Sequence, residues 1–277
     1  MKTTLTLSAL CGVFLIASSA HAQQEPAPQV QTQAQSQAKP EEREDLKAVM
    51  RQVRKFSAAV QSFRDFYGAY PGDLADAGTR LPSCPGVNGA GCNAPASSAG
   101  DGIAGDPFFA SSLQKSVPQQ VSVPAFSAND ESILFWTHLL LADLIDGVSY
   151  AGLHAQSPVS FGTTHPATAD GSGAGFIVGY MNNATLPTHI SGGKQPLSGH
   201  YAFAVSADVL AGGEMNLAGK QAFSPQDAAY MDKKLDDGKP HTGFVIGFGS
   251  PLCFDGNKNA YAPDTQTREC GVAFRIE

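Results

Sequence analysis

The chain has 277 residues, 42% of them apolar, and a formal net charge of −7. That length suits one large domain or two small ones with a sizeable core. The excess of acid removes the electrostatic footing that nucleic-acid binding needs.

At the N-terminus, Lys2 precedes a short apolar run from Leu5 to Ala17, and Ala20-His21-Ala22 offers small residues where a signal peptidase reads. This is the pattern of a secretory signal over residues 1–22, cut after Ala22. The run is shorter than the ~20 apolar residues a membrane-spanning helix needs. The chain is therefore expected in the periplasm or outside the cell, and not spanning a membrane. Cleavage removes Cys11 and leaves Cys84, Cys92, Cys253 and Cys270. An even number of cysteines in an exported chain reads as two disulfides. Three pairings are open. Cys84–Cys92 and Cys253–Cys270 are favoured, because each closes a local loop containing Gly or Asn.

Residues 23–40 are Gln, Ala and Pro with almost no bulky apolar side chain, the composition of a disordered tether. A single globular domain is expected over 41–277. Pro40 and the acidic Glu41, Glu42 and Glu44 suit a helix N-terminus. Leu46, Val49, Met50, Val53, Phe56, Val60, Phe63 and Tyr67 then recur at three- and four-residue spacing, which predicts one helix from about 41 to 67. Pro71-Gly72-Asp73 stops it. Residues 79–128, rich in Gly, Ala, Ser and Pro, read as a long surface excursion. Asn129 or Asp130 announces a second helix, Ile133 to Ile145, apolar on most faces and ended by Gly147. Phe176–Tyr180, Tyr201–Val205, Gly243–Phe248 and Val272–Ile276 are the expected strands, and Ser224-Pro225 opens a short helix to about Leu235. Helix first and antiparallel strands afterwards is an α+β pattern.

Four segments, in order, resemble the pseudopilin-like proteins of type IV pilus and type II secretion systems. They are Phe63-Arg64-Asp65-Phe66-Tyr67-Gly68-Ala69-Tyr70-Pro71-Gly72-Asp73, then Gly100-Asp101-Gly102-Ile103. Next comes Glu131 with Phe135-Trp136-Thr137-His138-Leu139 and Ala142-Asp143-Leu144-Ile145-Asp146-Gly147. The fourth runs Asp232-Lys233-Lys234-Leu235-Asp236-Asp237-Gly238-Lys239-Pro240-His241-Thr242-Gly243, and the Cys253…Cys270 pair closes the chain. The resemblance implies a long N-terminal α-helix packed on an antiparallel β-sheet, with long loop insertions and a disulfide-bracketed C-terminal region. One departure stands out. Members of that group begin with an apolar half-helix, exposed by a cut after Gly and carrying Glu at the fifth position. Here Gly12 is followed by Val13, Phe14, Leu15, Ile16 and Ala17, and the polar tether stands in the place of the half-helix. A monomer or small oligomer is expected, touching pilus or secretion-apparatus proteins through its globular surface.

Trp136 reads as core on helix amphipathicity. Should the apolar face of that helix not be fully buried, Ile133, Trp136 and Leu140 are the interface residues. Asp232, Asp236 and Asp237 offer carboxylates for a metal or for acid–base chemistry, but their place before Gly238 fits a turn that satisfies local backbone N–H groups. Asp255, Asn257 and Asn259, with Asp264, set oxygen ligands at alternate positions as a calcium loop does. Calcium is the one cofactor this predicts, although Ala260 stands where an EF-hand loop has glycine. No GxSxG, HExxH or GxxxxGK[ST] motif is present, and the seven histidines stand singly. The expected function is non-enzymatic, as an accessory or minor-subunit-like partner of a pilus or type II secretion system. The rivals are a ligand-binding module for calcium, polysaccharide or cell wall, and a periplasmic hydrolase.

Overall fold

In the computed structural model, which describes residues 43–84, 91–104, 120–122, 131–149, 159–184, 197–208, 214–216, 221–256, 258–263 and 266–277, the apolar stripe beginning at Leu46 forms helix α1, Glu44–Tyr67. Its buried residues, Leu46, Val49, Met50, Val53, Phe56, Ala59, Val60 and Phe63, keep the three- and four-residue spacing of one helix face. Glu44 and Asp45 lie at the positive end and Arg64 at the negative end, which complements the helix dipole. Gly68 ends the helix in the left-handed region (φ 74°), its N–H donating to Arg64 O at 2.8 Å. The expected signal and tether lie outside the described residues; Glu41–Glu277 form one compact unit.

A short helix α2, Ala77–Arg80, follows the Pro71-Gly72-Asp73 turn. Helix α3, Glu131–Leu141, is shorter than the expected Ile133–Ile145. Gly147 does not end it. Asp143 takes the left-handed conformation (φ 58°), Asp143 N–H donates to Leu140 O at 3.0 Å and Leu144 N–H to Leu139 O at 2.9 Å. That pair of bonds closes a helix C-terminus one residue past the cap, and an aspartate is among the few non-glycine residues that adopt it. Helix α4, Pro225–Leu235, starts where Ser224-Pro225 predicted. Ser224 and Asp227 exchange a reciprocal capping box, and Arg43 at the start of α1 pairs with the same Asp227.

Strands β2 (Gly175–Ala184), β3 (Leu197–Val205), β5 (Val245–Gly249) and β6 (Cys270–Arg275) form an antiparallel sheet in the order β2-β3-β6-β5. All four expected strands overlap it, although Gly243, Phe244 and Ile276 lie outside β5 and β6. A separate ribbon pairs β1 (Gln120–Ser122) with β4 (Glu214–Asn216); no sequence signal announced it. The fold is α+β.

One face of the sheet, with Phe176, Val178, Ala202, Ala204, Val245, Val272 and Phe274, joins the same core as the stripe of α1. Phe56 sets its ring edge-on to Phe176 at 5.1 Å and to Trp136 at 4.9 Å. Antiparallel sheets commonly leave their other face to water. Here that face, with Ile177, Tyr201, Phe203, Ile246, Phe248 and Ala273, is buried too. Both disulfides are local, joining Cys84 to Cys92 and Cys253 to Cys270.

Candidate functional site

The residues around Pro71-Gly72-Asp73 build a buried polar junction. The Asp73 side chain is buried, and its Oδ1 accepts the N–H groups of Gly100 and, at 3.2 Å, Asp101, while Oδ2 accepts Gly102 N–H at 2.9 Å. Burial pushes the Asp73 carboxyl up, with these N–H groups pulling the other way. Gly72 N–H donates to His138 Nδ1 at 2.8 Å, and His138 Nε2 donates to Cys92 O at 2.7 Å. This arrangement fixes the tautomer. The imidazole is fully buried against Phe63, and burial pulls it down to about 4. Gly72 also lies against the Glu131 carbonyl, with no space for a β-carbon. Three of the four segments that carry the pseudopilin resemblance thus meet at one place.

For the described residues 81–84 and 91–104, this junction corrects the reading of 79–128 as a surface excursion. Leu81, Cys92, Ala94 and Ala104 are buried, held by polar contacts that leave no periodic trace in the sequence. Ala104 N–H donates to His200 Nε2 at 2.9 Å. The other ring nitrogen of His200 donates to Glu277 Oε2 at 3.2 Å, and the same oxygen accepts Tyr70 O–H at 3.0 Å. Arg275 donates to Glu277 Oε1 at 2.8 Å. The His200, Arg275 and Tyr70 donors hold the Glu277 carboxyl at about 2, and burial together with Glu277 pushes Tyr70 up to about 12. His200 and Glu277 had no motif around them. Only the topology, which sets the end of β6 beside the start of β3, brings them together.

The aspartate cluster forms a turn. Asp232 is fully buried, accepting Gly238 N–H and Tyr261 O–H, each at 2.9 Å. Asp236 Oδ2 accepts Phe244 N–H and, at 3.1 Å, Val245 N–H. Asp237 accepts Lys239 N–H at 2.8 Å and Thr242 Oγ1–H at 2.5 Å. Oxygens of the three carboxylates lie within 4.8 Å of one another. Of the expected calcium ligands, Asn257 and Asp264 lie outside the described residues. Asp255 faces Lys258 Nζ at 3.4 Å, and Asn259 is exposed.

The expected interface residues are also redistributed. Ile133 and Trp136 are buried in the chain's own core, so neither can anchor a partner, and Leu140 is partly exposed. The surface is reached further along the same segment. Leu144 and Ile145 line an open groove of about 860 Å³ beside α1, with Phe56 and Ala59 in its lining. Arg51 and Lys55 of α1 also line it, as do Asp143 and Asp146. No helix among the described residues is long and apolar enough to cross a membrane.

No family model, curated protein or solved structure matches the chain. The functional reading therefore rests on the residues themselves. Each described histidine, at 138, 165, 200 and 241, is buried. His138 and His200 have both ring nitrogens engaged within the fold. A general base needs a free nitrogen within reach of a substrate, and these two rings serve as structural staples instead.

Proposed function

We propose that the chain is a secreted, non-enzymatic, pilin-like protein that works through protein contacts as an accessory partner of a pilus or type II secretion apparatus. The observation that carries this reading is the meeting of the Gly100-Asp101-Gly102 turn, on the buried Asp73 carboxylate, and the Glu131–His138 helix, against Gly72, at the one Pro71-Gly72-Asp73 turn. Three segments of the resemblance then form one structural unit rather than three coincidences of composition. The core shared by α1 and one face of the sheet supports the same reading. So do His138 and His200, whose engaged rings favour contact over acid–base chemistry. Contact would be made at the groove of Leu144, Ile145, Arg51 and Lys55, whose mix of apolar lining and cationic side chains suits a protein partner.

The test is a photo-crosslinking residue placed at Lys55 or Ile145 in the native cell, followed by identification of what is captured. Pilus or secretion-apparatus subunits at these positions, and none from an exposed control at Asp65, support the proposal. Identical capture from all three positions overturns it. Light scattering and electron microscopy on the chain from Gln23 should show a monomer or small oligomer, not spontaneous filaments.

A further inference from the structure

The outer edge of β5 is covered by the turn that follows α4. Among the described residues, β5 ends the order β2-β3-β6-β5 and has a sheet partner on one side only. Its outward N–H groups would otherwise be open to pairing with another strand. Gly247 N–H donates to Pro240 O at 2.9 Å, and Val245 N–H to Asp236 at 3.1 Å, so residues 236–243 occupy that edge. Gly238 (φ 77°) and Gly243 (φ 87°) bracket the turn, both in the left-handed region, and a β-carbon on Gly243 would overlap the Asp236 carboxylate. Beneath the turn lies Asp232, fully buried, its two oxygens bound to Gly238 and to Tyr261.

We propose that residues 236–243 are a proton-operated latch, closed over the β5 edge while Asp232 is protonated and released when Asp232 ionises. The groups facing Asp232 are Tyr261 from the segment after the Cys253 turn, and Asp236 and Asp237 from the latch itself. His241, in the latch, is buried with its ring 5.1 Å from that of Phe254. Tyr261 is buried and its phenol is pushed well above its ordinary range, first by burial and then by Asp232, so it stays a neutral hydroxyl. It donates to the carboxylate and can accept from the carboxylic acid. With the proton in place, two charged carboxylates share the cluster. Without it, three lie within 4.8 Å, one of them sealed from water. Like charges at that separation in a poorly hydrated site repel strongly. The cheapest relief is a rotation about the two glycines that lets water reach Asp232 and lifts Asp236 from Phe244 and Val245. Burial raises the Asp232 carboxyl to about 7, so its ionisation falls within a range that can be followed in solution.

Amide hydrogen exchange on the full chain tests this. Protection at Val245 and Gly247, corrected for the intrinsic rate, should fall at least tenfold between pH 5.5 and 8.5. Amides of the β3–β6 pairing should change less than twofold. Asp232→Asn, which keeps an acceptor for Gly238 and cannot ionise, should give a flat profile. Tyr261→Phe removes a hydrogen bond that favours the ionised form and should move the midpoint to higher pH. A wild-type profile as flat as that of the β3–β6 amides overturns the latch, as does an Asp232→Asn chain that keeps the wild-type response. Should that variant fail to fold, an unmoved midpoint in Tyr261→Phe does the same.

Discussion

A β-carbon on residue 72 would lie 2.5 Å from the Glu131 carbonyl oxygen and 3.1 Å from Phe135 N, on a backbone with φ 87°. A left-handed conformation costs an L-residue roughly 1–2 kcal/mol, and overpacking against backbone costs about as much again. Gly72→Ala should therefore lower stability by about 3 kcal/mol, read from urea unfolding, whereas Gly68→Ala, with open space around its β-carbon position, should lose only the conformational part. Pro71-Gly72-Asp73 was legible as a helix stop because each residue type has its own turn chemistry. What Asp73 binds was not legible. Its partners lie 27 to 29 positions downstream, and a carboxylate accepting backbone N–H groups leaves no pattern beyond a Gly-Asp-Gly turn. The burial of Trp136 followed from its apolar neighbours, while the partial exposure of Leu144 and Ile145 depended on where α3 ends.

At the scale of elements, local chemistry was readable and unusual chemistry was not. Ser224-Pro225 opened α4 as expected, and both halves of its capping box are present. Ser224→Ala should cost about 1 kcal/mol, seen as a lower midpoint with an unchanged denaturant slope. The four sheet strands stood out as short, nearly unbroken apolar runs, the signature of strands covered on both faces rather than on one. The β1–β4 ribbon did not, because three-residue strands carry no period. The end of α3 was misplaced because Gly147 is the commoner stop residue and Asp143 does its work. The Cys253–Cys270 bond ties the turn at Pro251–Cys253 to the first residue of β6 across a separation of 17. A loop of that size is worth about 3 kcal/mol in the chain-entropy view. Cys253→Ala should lose that much under oxidising conditions, measured by urea unfolding, and match the wild type when both are reduced.

For the molecule as a whole, buried titratable groups oppose one another across the mildly acidic range. His138 and His165 are pulled by burial to about 4 and about 3. The unfolded chain takes up their protons near 6.5 and the folded chain does not, so their stabilisation is full above that pH and is lost as pH falls. Asp232, raised to about 7, behaves in the opposite way. Its contribution is full below the unfolded value of 3.8 and is lost as pH rises toward 7. Between pH 4 and 6.5 the two histidines outweigh Asp232, and stability should climb as pH rises. Unfolding at a series of pH values should place the maximum near pH 6.5, and Asp232→Asn should steepen the acid limb and flatten the decline above it. The placement of β6 acts at this scale too. Strand β6, which follows the other three strands of the sheet in sequence, sits between β3 and β5, so β5 has no strand partner and β3 has only β2 until the chain is present to about residue 275. A growing or threading chain would hold β2–β3 as an isolated hairpin, which is marginal in water. Its completion is a late, long-range closure that slows folding. The order of strands thus works as a timer, keeping the sheet incomplete until β6 has emerged.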